Sequence, residues 1–305
     1  MGTALVFPGQ GAQYVGMGLS LYENSPAAKK IFSRAEEILG GAFLQACFRG
    51  PEEVLTQTSV CQPALFTHGC AAVEILREKI PEKKYSIAYG LSLGELTALC
   101  IAEVFDFTTG VKLVAERGRL MRKACEETDG AMLCLIGGNP DDATELCSAA
   151  DVEMANMNCP GQIVVSGEMR NIKKAMEMAQ KMAFKRVLPL NVAGAYHSRL
   201  MESAAQGFEK FLHGVELQPP KIKILSNVTG ALVESPGEIK KLLARQIISP
   251  VLFEKCCHSA LQLEISEFFE CGPGRTLSGM MRKISGNVTL RNFDGAADFN
   301  DLLQV

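Results

Sequence analysis

The sequence predicts an α/β protein: a large domain on a mainly parallel sheet, interrupted by a small β-α-β-β-α-β subdomain. Three observations predict it. The apolar run Ala4-Leu5-Val6-Phe7 breaks at once into Pro8-Gly9-Gln10-Gly11-Ala12-Gln13, as a buried strand does at the carboxyl edge of an open sheet. The strand-like Tyr85–Tyr89 turns through Gly90-Leu91-Ser92-Leu93-Gly94-Glu95 into the apolar-periodic run Leu96, Leu99, Cys100, Ile101. From about residue 126 to 192 the pattern changes to short strands alternating with two short helices. Residues 1–125 and 193–305 are thus expected to form a discontinuous large domain, with 126–192 inserted.

Composition narrows the function classes. The 305 residues are 47% hydrophobic and 21% charged, ample for a buried core. Net charge is −3, from 31 basic and 34 acidic residues with no long run of one sign, so nothing global favours nucleic acid or a membrane surface. The eleven cysteines form no C-x-x-C pair and sit mostly in apolar surroundings, as small core hydrophobes of a reducing compartment do. Cys256-Cys257-His258 invites a metal reading, but adjacent helical cysteines point different ways and no second ligand pair follows. Met1-Gly2-Thr3 leads straight into a core strand, and no apolar run reaches membrane-span length. A cytoplasmic protein with no metal is expected.

Taken in order, Ala27–Leu39 and Ala64–Ile80 read as helices, the second with Pro63 at its first position. A helix through about Val104 follows the Ser92 turn, and Val111–Cys125 is another. Its Gly118 implies either a close approach at Arg117 or tight helix packing. The inserted segment runs strand Ala131–Ile136, helix Asp141–Ala150, strands Val152–Met157 and Gln162–Ser166, a helix carrying Ile172, Ala175 and Ala179, and strand Arg186–Leu190. Beyond it come the loop at Gly194–His197, a helix to His213, a strand at Ile222–Asn227, helices near 237–247 and 250–262, and a last buried strand Glu267–Glu270.

Gly90–Gly94 is a G-x-S-x-G sequence between strand and helix, the setting of a nucleophile elbow. Ser92-Leu93-Gly94-Glu95 equally fits S-x-x-E, a helix-capping box. A serine nucleophile needs a base. Of the four histidines, His68 and His258 lie in helical, largely apolar runs and His213 closes a helix, whereas His197 follows Gly194 in a loop. No acidic third member stands at a strand end, so a backbone carbonyl is the alternative orienting group. Arg117 is either a surface arginine with an apolar stem or a guanidinium fork for a substrate carboxylate. The Gly-rich loop after the first strand matches neither dinucleotide nor P-loop spacing.

Together these segments resemble the malonyl-CoA:acyl carrier protein transacylases and the acyltransferase domains of fatty-acid and polyketide synthases. The resemblance rests on Phe7–Gln13, Cys61–Leu65, Gly90–Glu95, Arg117–Met121, Asn156–Gln162, Ala195–Ser198, Ser226–Gly230 and Glu270–Gly274, in that order. It implies a hydrolase-like large domain with a ferredoxin-like insertion. It implies Ser92 as acyl-accepting nucleophile, His197 as general base and acid, and the N–H groups of Gln10 and Leu93 as the oxyanion hole. Arg117 would pair with the malonate carboxylate, Gln62, Asn156 and Asn158 would line the cleft, and the carbonyl of Leu252, in Pro250-Val251-Leu252, would orient His197. Malonyl-CoA and holo-acyl carrier protein are the implied partners of a monomer without a bound cofactor. A trans-acting polyketide-synthase acyltransferase and a serine thioesterase or esterase are the alternatives; a catalytically dead carrier-binding module is a third.

Two departures touch selectivity. Most relatives have His where this chain has Leu91, and the loop before the histidine reads Gly194-Ala195-Tyr196. Arg119, Arg122, Lys185, Arg186 and Arg199 are candidates for a basic rim facing an acidic carrier protein.

Overall fold

The computed structural model describes residues 2–304. Its ten strands are β1 Gly2–Phe7, β2 Ile87–Gly90, β3 Gly130–Ile136, β4 Glu153–Cys159, β5 Gln162–Glu168, β6 Arg186–Pro189, β7 Lys223–Leu225, β8 Leu232–Val233, β9 Ile265–Cys271 and β10 Thr289–Phe293. They form two sheets. The larger has the order β10-β9-β1-β2-β7-β8, parallel except for the β7–β8 pair.

Strand β1 is apolar on both faces because both faces are covered. Leu5 and Phe7 enter a core with the helices Thr58–Lys79, Leu93–Ile101 and Phe107–Glu127. Ala4 and Val6 enter a second core with Cys256, Cys257 and Ala260 of the helix Phe253–Gln262 and with Leu277 and Met281 of the helix Thr276–Ile284. The adjacent cysteines are therefore both packed among apolar side chains. The register Phe7↔Gly90 places the ends of β1 and β2 side by side, so the Gln10 loop and the Ser92 turn leave the same edge of the sheet.

The smaller sheet is antiparallel, in the order β4-β5-β3-β6. All its strands lie between Gly130 and Pro189, and with helices Pro140–Ala150 and Met169–Ala179 it is the expected ferredoxin-like arrangement. Period-two alternation splits its side chains. Leu133, Leu135, Ile163 and Val165 pack under the two helices, while Met132, Cys134 and Val164 turn the other way, toward the large sheet's core. Strand β4 is stitched to the large part by Val251 N–H to Ala155 O at 2.8 Å and Met157 N–H to Val251 O at 2.9 Å.

Two sequence expectations are corrected. The helix expected to start at Pro63 starts at Thr58, and Pro63 lies inside it. Burial of Cys61, Gln62, Ala64 and Leu65 outweighs the one missing N–H. The helix expected from Pro250 begins at Phe253, since Val251 is committed to the bridge with Asn156. His258, in its largely apolar helical run, is exposed, with Nε2 3.8 Å from Glu254 Oε1.

Candidate active site

The turn after β2 has the form of an elbow. Ser92 sits at φ 52°, ψ −103°, a conformation costing a non-glycine residue on the order of 1–3 kcal/mol. A Cβ at Gly90 would stand 2.3 Å from the Gly94 carbonyl carbon, and one at Gly94 2.0 Å from Phe7 O. Both glycines are therefore needed for the helix Leu93–Ile101 to meet the strands. The capping-box reading is not observed: the Ser92 side chain makes no cap bond, and the Glu95 carboxylate turns inward to Asn227 and Gln246.

His197 is buried at 4% exposure, and its Nε2 lies 2.9 Å from Ser92 Oγ. Its Nδ1 is 2.8 Å from the main-chain oxygen of Gln246. A carbonyl only accepts, so Nδ1 carries the proton and Nε2 is free to accept one from the serine hydroxyl. The expected carbonyl of Leu252 is not the partner. Gln246 ends the helix Pro236–Gln246, where the last carbonyls lack intrahelical donors and remain open to a side chain. Burial, and then the nearby Arg117, push the His197 imidazole down to about 4, so it is neutral at physiological pH.

Arg117 is 1% exposed and aimed into the cleft. Its Nη1 donates to Gln62 Oε1 at 2.8 Å, and its Nη2 donates to Gln246 Oε1 at 2.8 Å and to Ser92 Oγ at 3.1 Å. Its Nε is buried without an acceptor among the described residues. Burial lowers the guanidinium to about 10, still charged at neutral pH. The neighbouring Gly118 is explained by packing: a Cβ there would stand 2.6 Å from Thr58 O.

These groups open on a cleft of about 640 Å³ between the two sheets. Gln10 and Leu93 line it, Leu93 as the first residue of its helix, whose N–H has no intrahelical acceptor. Gln62, Asn156 and Asn158 line it too, and Asn158 Oδ1 is buried without a partner among the described residues. Leu91 and Tyr196 are also on its wall, and the Tyr196 hydroxyl is held 2.7 Å from Thr58 Oγ1. The structure thus gathers every predicted site residue except Leu252.

Three further residues were not read from the sequence in these roles: Asn227, Gln246 and Glu95. Asn227 Oδ1 accepts the Ser92 N–H at 2.7 Å while its Nδ2 donates to Gly90 O at 2.7 Å, and Gln246 Nε2 donates to Ser92 O at 3.0 Å. They hold the strained turn from both sides. A signal for Gln246 existed: it recurs on the face of Ile239, Leu242 and Leu243, a polar residue on an apolar stripe. His68, by contrast, is buried away from this cluster, with Nε2 3.4 Å from Asp294 Oδ1.

An elbow serine, a neutral histidine at its hydroxyl and a buried guanidinium beside both share one cleft, a grouping of the kind that acyl-transfer chemistry uses. The chain belongs to the acyl transferase domain family, which matches residues 4–284. It is 36% identical over 287 residues to the malonyl CoA-acyl carrier protein transacylase of Bacillus subtilis (strain 168), covering 92% of this chain and 90% of the relative. Its fold superposes on the acyl-carrier-protein-S-malonyltransferase of Bartonella henselae with a TM-score of 0.95, at 32% identity and over 100% and 99% of the two chains. It also superposes on a malonyl-transacylase solved in complex with its type II PKS acyl-carrier protein, with a TM-score of 0.96, at 32% identity and over 100% and 99% of the chains.

Proposed function

We propose that this chain transfers malonyl from malonyl-CoA to the phosphopantetheine thiol of holo-acyl carrier protein by a ping-pong acyl-serine mechanism, supplying extender units for type II fatty-acid biosynthesis. The observation that carries the reading is the Ser92 hydroxyl, shared between His197 Nε2 at 2.9 Å and Arg117 Nη2 at 3.1 Å.

His197 takes the Ser92 proton as the oxygen attacks the thioester carbonyl. The tetrahedral oxyanion is received by the N–H groups of Gln10 and Leu93, each worth on the order of 3 kcal/mol in the transition state. The intermediate collapses, the C–S bond breaks, and His197 returns the proton to the departing CoA thiolate. The carrier's thiol then enters, gives its proton to His197 and attacks the acyl-serine; Ser92 leaves with that proton. Gln246 O holds the imidazole through Nδ1 and stabilises the transient imidazolium. Throughout, the malonate carboxylate pairs with Arg117. An acetyl group would leave that buried charge without its counterion, which is the basis of selection. CoA and phosphopantetheine arrive with the substrates, and the chemistry calls for no bound cofactor.

Initial rates measured over a grid of malonyl-CoA and holo-carrier concentrations test the mechanism. Parallel double-reciprocal lines are expected; lines that converge would show a ternary complex and contradict the acyl-serine route.

A further inference from the structure

Gln246 serves the site three ways: its main-chain oxygen holds His197, its Oε1 accepts from Arg117, and its Nε2 donates to Ser92 O. The two Oε1 and Nε2 roles require the amide to face one way. Turned over, it would present N–H groups to the Arg117 guanidinium and an oxygen to the Ser92 carbonyl, donor against donor and acceptor against acceptor.

Glu95 is what meets the other side of that amide. Its Oε2 accepts from Gln246 Nε2 at 2.6 Å and from the main-chain N–H of Asn227 at 3.0 Å. A backbone N–H is a donor that cannot be turned round, so whatever stands at residue 95 must offer an oxygen at this point. That oxygen in turn requires the Gln246 N–H group, and the Gln246 oxygen is left for Arg117. The geometry points to Glu95 as a positioning residue for acyl selectivity, acting as a fixed acceptor that orients the Gln246 amide and through it the Arg117 fork.

The titratable groups facing Glu95 are Arg117, from the helix Phe107–Glu127, and Cys256, from the helix Phe253–Gln262. Burial raises the Glu95 carboxyl to about 7, so it is a mixture of charged and neutral forms near neutrality. An orientation carried by one acceptor oxygen holds in both forms, since the proton can reside on Oε1.

The inference rests on the malonyl-transfer reading. Its test is the ratio of Ser92 acylation by malonyl- and acetyl-N-acetylcysteamine, thioesters without the titrating phosphates of CoA, measured by intact mass. A ratio does not depend on how much of a variant is folded. Glu95→Ala, or the volume-filling Glu95→Met, is expected to lower the wild-type ratio by about tenfold or more. Glu95→Gln, which keeps an oxygen for the Asn227 N–H, is expected to restore it to within about threefold. The wild-type ratio is expected to stay flat from about pH 6 to pH 8. An unchanged ratio in both Glu95→Ala and Glu95→Met, a Glu95→Gln ratio as low as theirs, or a wild-type ratio that follows a titration near neutrality would each overturn the assignment. No acylation of the wild type by either thioester would instead overturn the transfer reading and this one with it.

Discussion

At the scale of single residues, the site is defined by what each side chain can give or take. Arg117 is fully buried, and its charge is held by the Gln62 and Gln246 side-chain oxygens and the Ser92 hydroxyl. Arg117→Ala is expected to lose malonyl loading by about 100-fold and to gain relative activity on uncharged acyl-CoA. Competition between malonyl- and acetyl-CoA for Ser92 measures this, and retention of the wild-type preference would refute the role. For His197 the sign of the pH dependence follows from its lowered pKa. The neutral, proton-accepting form persists as pH falls below the usual histidine range and is lost only near 4. Loading by a thioester without phosphates should therefore be level from about pH 8 down to about pH 5.5 and fall below that. A limb near 6.5 that persists in Glu95→Gln, whose side chain does not titrate, would mean that the imidazole is not desolvated as the structure places it.

At the scale of elements, the strained turn is held by a close meeting of strand and helix. Gly94→Ala pushes a methyl group into the Phe7 carbonyl and is expected to destabilise the fold by about 3 kcal/mol, read from the denaturation midpoint, and to abolish loading. The elbow was legible because its requirement is local: a serine flanked by residues without Cβ, between a strand and a helix. The β-α-β-β-α-β segment was legible because its periodicities are short and strongly contrasted. The partner of His197 was misplaced to Leu252 because no side chain marks which carbonyl stands open at a helix end. That depends on how the helix Pro236–Gln246 docks, a tertiary fact. Glu95 was read as a cap for a similar reason: S-x-x-E describes both a capping box and a carboxylate turned inward, and only packing against Asn227 and Gln246 decides between them. Strand β10 was missed because Thr289-Leu290-Arg291-Asn292-Phe293 is an edge strand with neither a continuous apolar run nor clean alternation.

At the scale of the whole molecule, the edge of one sheet carries Ser92 and Gln10 and the other sheet closes the cleft. The Ser92 turn and the Gln10 loop leave adjacent parallel strands, while Met132, Cys134 and Val164 of the small sheet, with Asn156 and Asn158, form the opposing wall. Among the five basic candidates for carrier docking, Arg119, Arg122 and Arg199 are already paired with carboxylates of this chain. Lys185 and Arg186 are exposed and have no ion pair among the described residues. Reversing both charges, in Lys185→Glu with Arg186→Glu, is expected to raise KM for holo-carrier protein several-fold at low salt and to leave loading from malonyl-CoA unchanged. Equal effects on both half-reactions would place the docking surface elsewhere.

The whole account depends on an acyl group carried by Ser92 between two thiols. Mixing the protein with malonyl-CoA, mapping the adduct by mass spectrometry, and then adding holo-acyl carrier protein follows that group through both steps. A malonyl adduct on Ser92 that is absent from Ser92→Ala and is discharged by carrier protein much faster than by water is the predicted result. Discharge by water at the same rate would make the protein a hydrolase, and no adduct at Ser92 would contradict the account outright.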